Sequence, residues 1–242
     1  MELKPVRTEE QAFGRSAGAY EPAEVAVDAA QGQRVLRNTY LLLAATMVPT
    51  IAGAALGIQL AGVMMANPIL TFVIMLAATI GLQFGIAANR NSGVGIALLF
   101  VLTFVMGALL GPLLNVALSM RNGMQLVGYA AAGTGVIFFA MGAVATTTKR
   151  DFSFMGKFLF VGMIALLVAI VANMFLHIPA LALTISTLVI VLFSLYLLYD
   201  LNRIVRGGET NYILATTGVY ISLLNIFSSL LQLLLALGGD RD

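Results

Sequence analysis

Cysteine is absent from the 242 residues, and histidine occurs once, at His177. Without cysteine there is no disulfide, no thiolate nucleophile, no cysteine-built zinc site and no iron–sulfur cluster. A single histidine excludes histidine-rich metal centres and the HExxH arrangement. Charge is scarce too: 13 basic and 11 acidic residues make up 10% of the chain, where about 25% is usual in soluble domains. The net charge of +2 is spread too thinly for the basic stripe that neutralises phosphates, so nucleic acid is not an expected partner.

Enzyme signatures are missing as well. There is no GxSxG nucleophile elbow, and one histidine leaves little to activate a serine. No GxxxxGK[ST] phosphate loop occurs. The last apolar segment has no lysine for a retinal Schiff base, and the methionines form no Met–His cluster of the kind a copper path uses. The reading is a protein that is not an enzyme and carries no cofactor or metal. Residues 1–34 also lack the apolar run of a secretory signal peptide.

What the chain has in excess is apolar sequence: 60% of residues are hydrophobic, and mean hydropathy is +0.97. The first 38 residues hold 11 of the 24 charges, which divides the chain into a polar tail and an integral membrane domain. Five runs are free of charge: Asn38–Asn89, Asn91–Met120, Asn122–Thr148, Phe158–Tyr199 and Thr210–Gly239. One membrane-spanning helix needs roughly 20 apolar residues. The first and fourth runs, 52 and 42 residues long, therefore hold two helices each. They divide at Pro68 and Pro179, since proline is accepted in a first helical turn.

The expectation is an all-α bundle of seven transmembrane helices near 39–60, 68–88, 93–114, 125–147, 154–176, 179–200 and 211–237. The domain division is a flexible cytoplasmic tail over 1–34, with residues 23–37 able to lead helically into the first span, followed by the membrane domain over 35–242. A re-entrant last segment, with Gly218 and several serines, is the alternative to a seventh span. Orientation follows from basic residues near the membrane. Arg34, Arg37, Arg90, Lys149, Arg150, Lys157, Arg203 and Arg206 fall on one side, Arg121 and Arg241 on the other. The majority side is cytoplasmic, which leaves the C-terminus outside.

Three apolar segments carry GxxxG, at Gly53–Gly57, Gly81–Gly85 and Gly107–Gly111. Small residues at this spacing let helices approach closely in lipid. Packing inside one bundle is the favoured use, and a homo-oligomer is the alternative. Six amides, Gln59, Gln83, Asn115, Asn173, Asn225 and Gln232, are expected to be buried between helices, either as hydrogen-bonding glue or as a polar pore lining. His177 reads as an interfacial residue in a short outer loop. Asp200 ends a 42-residue uncharged run, and a carboxylate at that depth is a functional candidate by default. The competing reading pairs it with Arg203, three residues on.

Several stretches resemble the Bax inhibitor 1 superfamily. Ser194-Leu-Tyr-Leu-Leu-Tyr199-Asp200-Leu-Asn202 is similar to the signature of its sixth helix, and Tyr220-Ile-Ser222-Leu-Leu-Asn225-Ile-Phe227 to that of its seventh. Val35-Leu36-Arg37-Asn38-Thr39-Tyr40, Leu110-Gly111-Pro112-Leu-Leu-Asn115, Asp151-Phe-Ser153-Phe, Val171-Ala-Asn173-Met-Phe-Leu and above all Gly207-Gly208-Glu209-Thr210-Asn211-Tyr212-Ile213 resemble its bacterial branch, which modulates the membrane-anchored AAA protease FtsH. The resemblance implies a seven-helix membrane domain in the bacterial inner membrane, a periplasmic C-terminus and FtsH as partner beside the lipid bilayer.

The resemblance also implies a second activity, a pH-sensitive calcium or proton leak. Calcium-leak members face two carboxylates across their last two helices, and a pair held close shares a proton and titrates near neutrality. Asp200 matches the first carboxylate, and Ser222 stands in place of the second. Arg203 and Arg206 complete the candidate ion- or pH-sensing set. The family's arginine latch would fall near Asn89, next to Arg90.

Overall fold

A computed structural model describes residues 21–238, with side chains from residue 32 onward. Its helices are α1 (Glu21–Ala66), α2 (Pro68–Ala88), α3 (Gly93–Leu109), α4 (Gly111–Leu118), α5 (Gly123–Thr147), α6 (Met155–Leu176), α7 (Pro179–Val205) and α8 (Tyr212–Gly238). The expected tail over 1–34 falls partly outside the described residues, as does Asp240-Arg241-Asp242; α1 begins at Glu21. Pro68 and Pro179 open α2 and α7 as expected, each in the first turn.

Some helix ends differ from expectation: α1 runs over Glu21–Ala66 where a span near 39–60 was expected, and α7 continues past 200 to Val205. The third span does not stop at 114 but runs to Leu118 as α3 plus α4, bent by 41°. The bend falls at Leu110-Gly111-Pro112, where proline removes a backbone donor and obstructs the preceding turn. The last segment follows the expected span near 211–237 and not the re-entrant alternative: α8 is a continuous helix of 27 residues, about 40 Å long at 1.5 Å per residue. With the bent pair taken as one span, seven segments are long and apolar enough to cross a membrane. Val63, Phe84, Phe139 and Phe158 point outward from the bundle, as lipid-facing side chains do.

Glycines set the α1–α3 crossing. A Cβ on Gly53 would collide with the Phe104 carbonyl, one on Gly57 with the Ala108 carbonyl, and one on Gly107 with the Thr50 carbonyl. Gly111 meets the Gly57 backbone. Two of the three GxxxG pairs thus interlock with each other inside the bundle. The third does not, since Gly81 has nothing near it and Gly85 meets only the Leu98 side chain.

A buried polar junction fastens the same region to α8. The Tyr220 side chain is 1% exposed. Its hydroxyl donates to the Thr103 carbonyl of α3 at 3.1 Å and lies 2.8 Å from Thr50 Oγ1 of α1. Around this junction α7 and α8 supply most of the apolar core, including Leu197, Leu201, Ile204, Ile213, Val219 and Ile226. At the far end, the Asn122 side chain donates to the Gly238 carbonyl at 2.6 Å, tying the α4–α5 turn to the end of α8.

Candidate functional site

The charged residues of α7 lie in its last two turns, at the end where the α2–α3 turn, the α5–α6 connection and the start of α8 also meet. Asp200 turns toward α8. A Cβ on Gly218 would stand 2.7 Å from Asp200 Oδ2, so the absence of a side chain at Gly218 is what makes room for the carboxylate. Asp200 makes no hydrogen bond or ion pair among the described residues. Its expected partner is engaged elsewhere: Arg203 pairs with Glu209 at 3.4 Å, donates to the Gly208 carbonyl and lies over the Tyr199 ring at 5.5 Å. The i, i+3 pairing of Asp200 with Arg203 is therefore corrected. The chain reverses at Gly207, whose φ of 74° suits glycine, and this brings Glu209 back onto Arg203.

Ser222 is buried one turn beyond Gly218 on α8, on the same face. The structure thus brings Asp200, Gly218 and Ser222 together along the α7–α8 seam. It does not bring Arg90 to them: among the described residues the Arg90 side chain makes no ion pair, and its carbonyl is the group in use.

That carbonyl belongs to a joint built by Gly207-Gly208-Glu209-Thr210-Asn211-Tyr212. Gly208 N and Glu209 N both donate to the Arg203 carbonyl, closing the end of α7. Glu209 Oε1 accepts from Asn211 N at 3.0 Å. Asn211 Oδ1 accepts from Ile213 N and Leu214 N, capping α8. Asn211 Nδ2 donates to the Arg90 carbonyl and to Asn91 Oδ1, each at 2.8 Å. Tyr212 opens α8, and its carbonyl accepts from Thr216 Oγ1. The motif is a clamp between two turns.

Asn202 clamps the other connection. It is 1% exposed; its Oδ1 accepts from Phe152 N at 3.2 Å and its Nδ2 donates to the Arg150 carbonyl at 3.3 Å. Nearby, Ser153 donates to Asp151 through Oγ and N, which holds the Asp151 carboxyl below the usual aspartate range, with Arg206 adding to the effect. Asn202 and Tyr220 both stand inside the stretches that suggested the family, yet sequence reasoning gave neither a role. A polar residue flanked by apolar ones at helical spacing was the available signal.

A second polar feature lies in the other half of the bundle. A cavity of about 320 Å³ opens among α6, α7 and α8, with Asn173, Ser186, Asn225, Ser229 and Gln232 among its lining. Ser186 donates to Gln232 Oε1 at 2.6 Å, and Asn225 Nδ2 donates within its own helix to the Ile221 carbonyl. Asn173 also closes the α6–α7 turn: its Oδ1 accepts from Ile178 N at 3.1 Å. Exposed His177 sits in that turn with a φ of 51°. Gly218, Ser222, Asn225, Ser229 and Gln232 follow one another at intervals of four and three, a single face of α8. Val189, Phe193 and Leu197 of α7 are buried and apolar, so the cavity and Asp200 are not joined by polar lining on both sides.

Of the six amides expected to be buried, only Asn173 and Asn225 are partly so; Gln59, Gln83, Asn115 and Gln232 are exposed. Each of these four stands within about two turns of a helix end, where a long polar side chain reaches interfacial water.

Comparison with known proteins agrees with the bundle as a whole. The profile of the family described as "Inhibitor of apoptosis-promoting Bax1" matches residues 32–239. A membrane protein of Vibrio cholerae is 43% identical over 202 residues, covering 83% of this chain and 88% of that protein. Escherichia coli K12 has a protein named modulator of FtsH protease YccA, 40% identical over 201 residues and covering 83% of this chain and 89% of that one. Its counterpart in Escherichia coli O6:H1, named inner membrane protein YccA, matches to the same extent.

Proposed function

The chain belongs to the Bax inhibitor 1 family of multi-pass membrane proteins, and from that premise we propose that it is an inner-membrane modulator of an FtsH-type membrane-anchored AAA protease. The observation that carries the proposal is the 40% identity, across nearly the whole bundle, to a protein named for modulating FtsH. The fold supports a route. Its helices satisfy their backbone hydrogen bonds internally, and the interlocked glycines of α1 and α3 leave little slack for pulling one helix out. The polar sequence ahead of α1 is the handle in this reading. A protein that offers a handle but resists extraction occupies the protease and slows its work on other substrates.

This route requires the end bearing Arg37, Arg90, Lys149 and Arg203 to face the cytoplasm and the end of α8 to face the periplasm, as the distribution of basic residues favours. Reporter fusions at Arg121 and Asp242 should both score as periplasmic. In cells containing the protease, the full chain should co-purify with it and slow turnover of another membrane substrate. Deleting residues 2–20 should preserve co-purification and slow the protein's own degradation. Failure to co-purify sinks the modulator reading, and equal turnover of the two forms sinks the handle.

A second reading, a cation leak gated at the α7–α8 seam, is favoured by one feature: Asp200 lies between two spanning helices without a hydrogen-bonding partner. In this state α7 closes the way with Phe193 and Leu197, so conduction would need the seam to part. Flux through purified protein in liposomes tests it. Asp200→Asn should abolish the pH dependence, and Ser222→Asp should create a response near neutrality by restoring two facing carboxylates. Absence of flux at any pH removes this reading.

A further inference from the structure

On the outer wall of the bundle, α1 and α5 stand apart and leave an apolar groove of about 650 Å³. Helix α1 packs mainly on α3 and α4, and α5 on α7 and α8. Tyr40 meets Phe138 edge-on at 5.7 Å across the gap, with Leu223 of α8 also lining it. On α1 the groove runs from Leu36 to Met47, about 16 Å at 1.5 Å per residue. Its lining is apolar apart from the Tyr40 hydroxyl and Thr146, a surface that a hydrocarbon chain covers without leaving polar groups unsatisfied.

One end of the groove is basic. Arg37 lies one turn before Tyr40 and two turns before Ala44 along the lining face of α1. On α5 the lining face runs through Phe139, Ala143 and Thr146; the helix ends at Thr147, and Lys149 and Arg150 follow it in the connection to α6. All three cations are exposed. The nearest acid in sequence, Asp151, stays ionised under its Ser153 hydrogen bonds and offsets one cation, and Glu209 is paired with Arg203, so positive charge remains in excess at this rim. Asn202 fixes the Arg150 carbonyl, which anchors that part of the rim to α7. At the other end the groove is bounded by charge-free stretches of both helices.

We propose that this groove binds one anionic phospholipid, an acyl chain lying between α1 and α5 and the phosphate held by Arg37, Lys149 and Arg150. An apolar slot with cations just beyond one end selects a ligand with a long hydrocarbon part and a negative head. A zwitterionic phospholipid would fill the slot while leaving the net positive charge of the rim uncompensated.

The test uses the full-length protein, released from mixed-lipid vesicles into mild detergent and weighed intact with its retained lipids. Phosphatidylglycerol should be retained at least five-fold over phosphatidylethanolamine. Arg37→Gln with Lys149→Gln and Arg150→Gln should bring that ratio close to one, while Lys157→Gln, at the same end but outside the groove, should leave it unchanged. Ala143→Phe should reduce retention of both lipids by obstructing the acyl path. Should the triple variant fail to fold, Arg37→Gln and Lys149→Gln made singly should each lower the ratio by two-fold or more. Equal retention of the two lipids, or a ratio indifferent to the rim variants, overturns the proposal. So does a photo-crosslinker at residue 143 that captures another protein in membranes rather than lipid.

Discussion

Asp200 of α7 rests its carboxylate against Gly218 of α8, at a separation that a single added methyl would reduce to 2.7 Å. The two residues are 18 apart in sequence and are brought together by the reversal at Gly207. The contact makes a coupled prediction. Gly218→Ala alone should destabilise the bundle by about 1–3 kcal/mol through overpacking. In the background of Asp200→Ala, which removes the obstructing oxygen, the same change should cost far less, giving a coupling of about 0.5–3 kcal/mol. Thermal or denaturant unfolding of the four proteins in detergent measures it. Additive effects would mean the two groups do not touch.

Tyr220 should behave as a structural hydrogen-bonding hub. Removing its hydroxyl in Tyr220→Phe forfeits the bond to the Thr103 carbonyl and the contact with Thr50. Interhelical hydrogen bonds in membranes average about 0.6 kcal/mol and reach roughly 2, so the expected loss is about 0.6–2 kcal/mol with the fold retained. Thr50→Val in the Tyr220→Phe background should add little for that pair, although Thr50 also donates to the Thr46 carbonyl within α1. An undiminished unfolding midpoint in Tyr220→Phe would place the hydroxyl outside the core.

The glycine pairs divide sharply by position. Gly107→Leu has to displace the α1 backbone at Thr50, and since backbone cannot yield as a side-chain tip can, the variant should fail to accumulate as folded protein. A Cβ at exposed Gly81 meets nothing within 4 Å, so Gly81→Leu should fold normally. Expression with size-exclusion profiles reads both. A folded Gly107→Leu would contradict the α1–α3 crossing. If Gly81→Leu folds but shifts from a dimer to a monomer volume, the Gly81–Gly85 face is a contact between copies.

How much of this was legible in the sequence depends on which physical rule governs each part. Helix number and most boundaries follow from apolar length and from proline, both local quantities, and Pro68 and Pro179 fall where α2 and α7 begin. The 41° bend after Leu109 was not read, although Gly111-Pro112 carries it, because the run of uncharged residues continues through it. The family stretches pointed to the right end of the bundle. They did not show that Arg203 would turn to Glu209 rather than Asp200, since that choice depends on the positive φ at Gly207 and the path of the following loop. Burial of the amides was misjudged because hydropathy carries no information about which face of a helix looks outward.

Asn211 offers the most discriminating substitution, because its two ends do different work. Oδ1 caps α8, and Nδ2 holds the α2–α3 turn through the Arg90 carbonyl and Asn91. Asn211→Ala loses both functions. A lost N-cap costs about 0.5–2 kcal/mol, and a lost interhelical hydrogen bond adds a contribution of the order already given for membrane proteins. Asn211→Asp keeps an accepting oxygen at the cap, where a negative charge is also favoured by the helix dipole, but it replaces the donor with an oxygen facing the Arg90 carbonyl. The two variants should therefore separate in amide hydrogen exchange. In Asn211→Ala, protection should fall at Ile213 and Leu214 and also at the Ser92 amide, whose bond to the Asn89 carbonyl closes the α2–α3 turn. In Asn211→Asp, protection should survive at Ile213 and Leu214 and fall only in the turn. If both variants lose protection at both places equally, the joint yields as one unit, and the assignment of separate roles to the two ends of the Asn211 side chain fails.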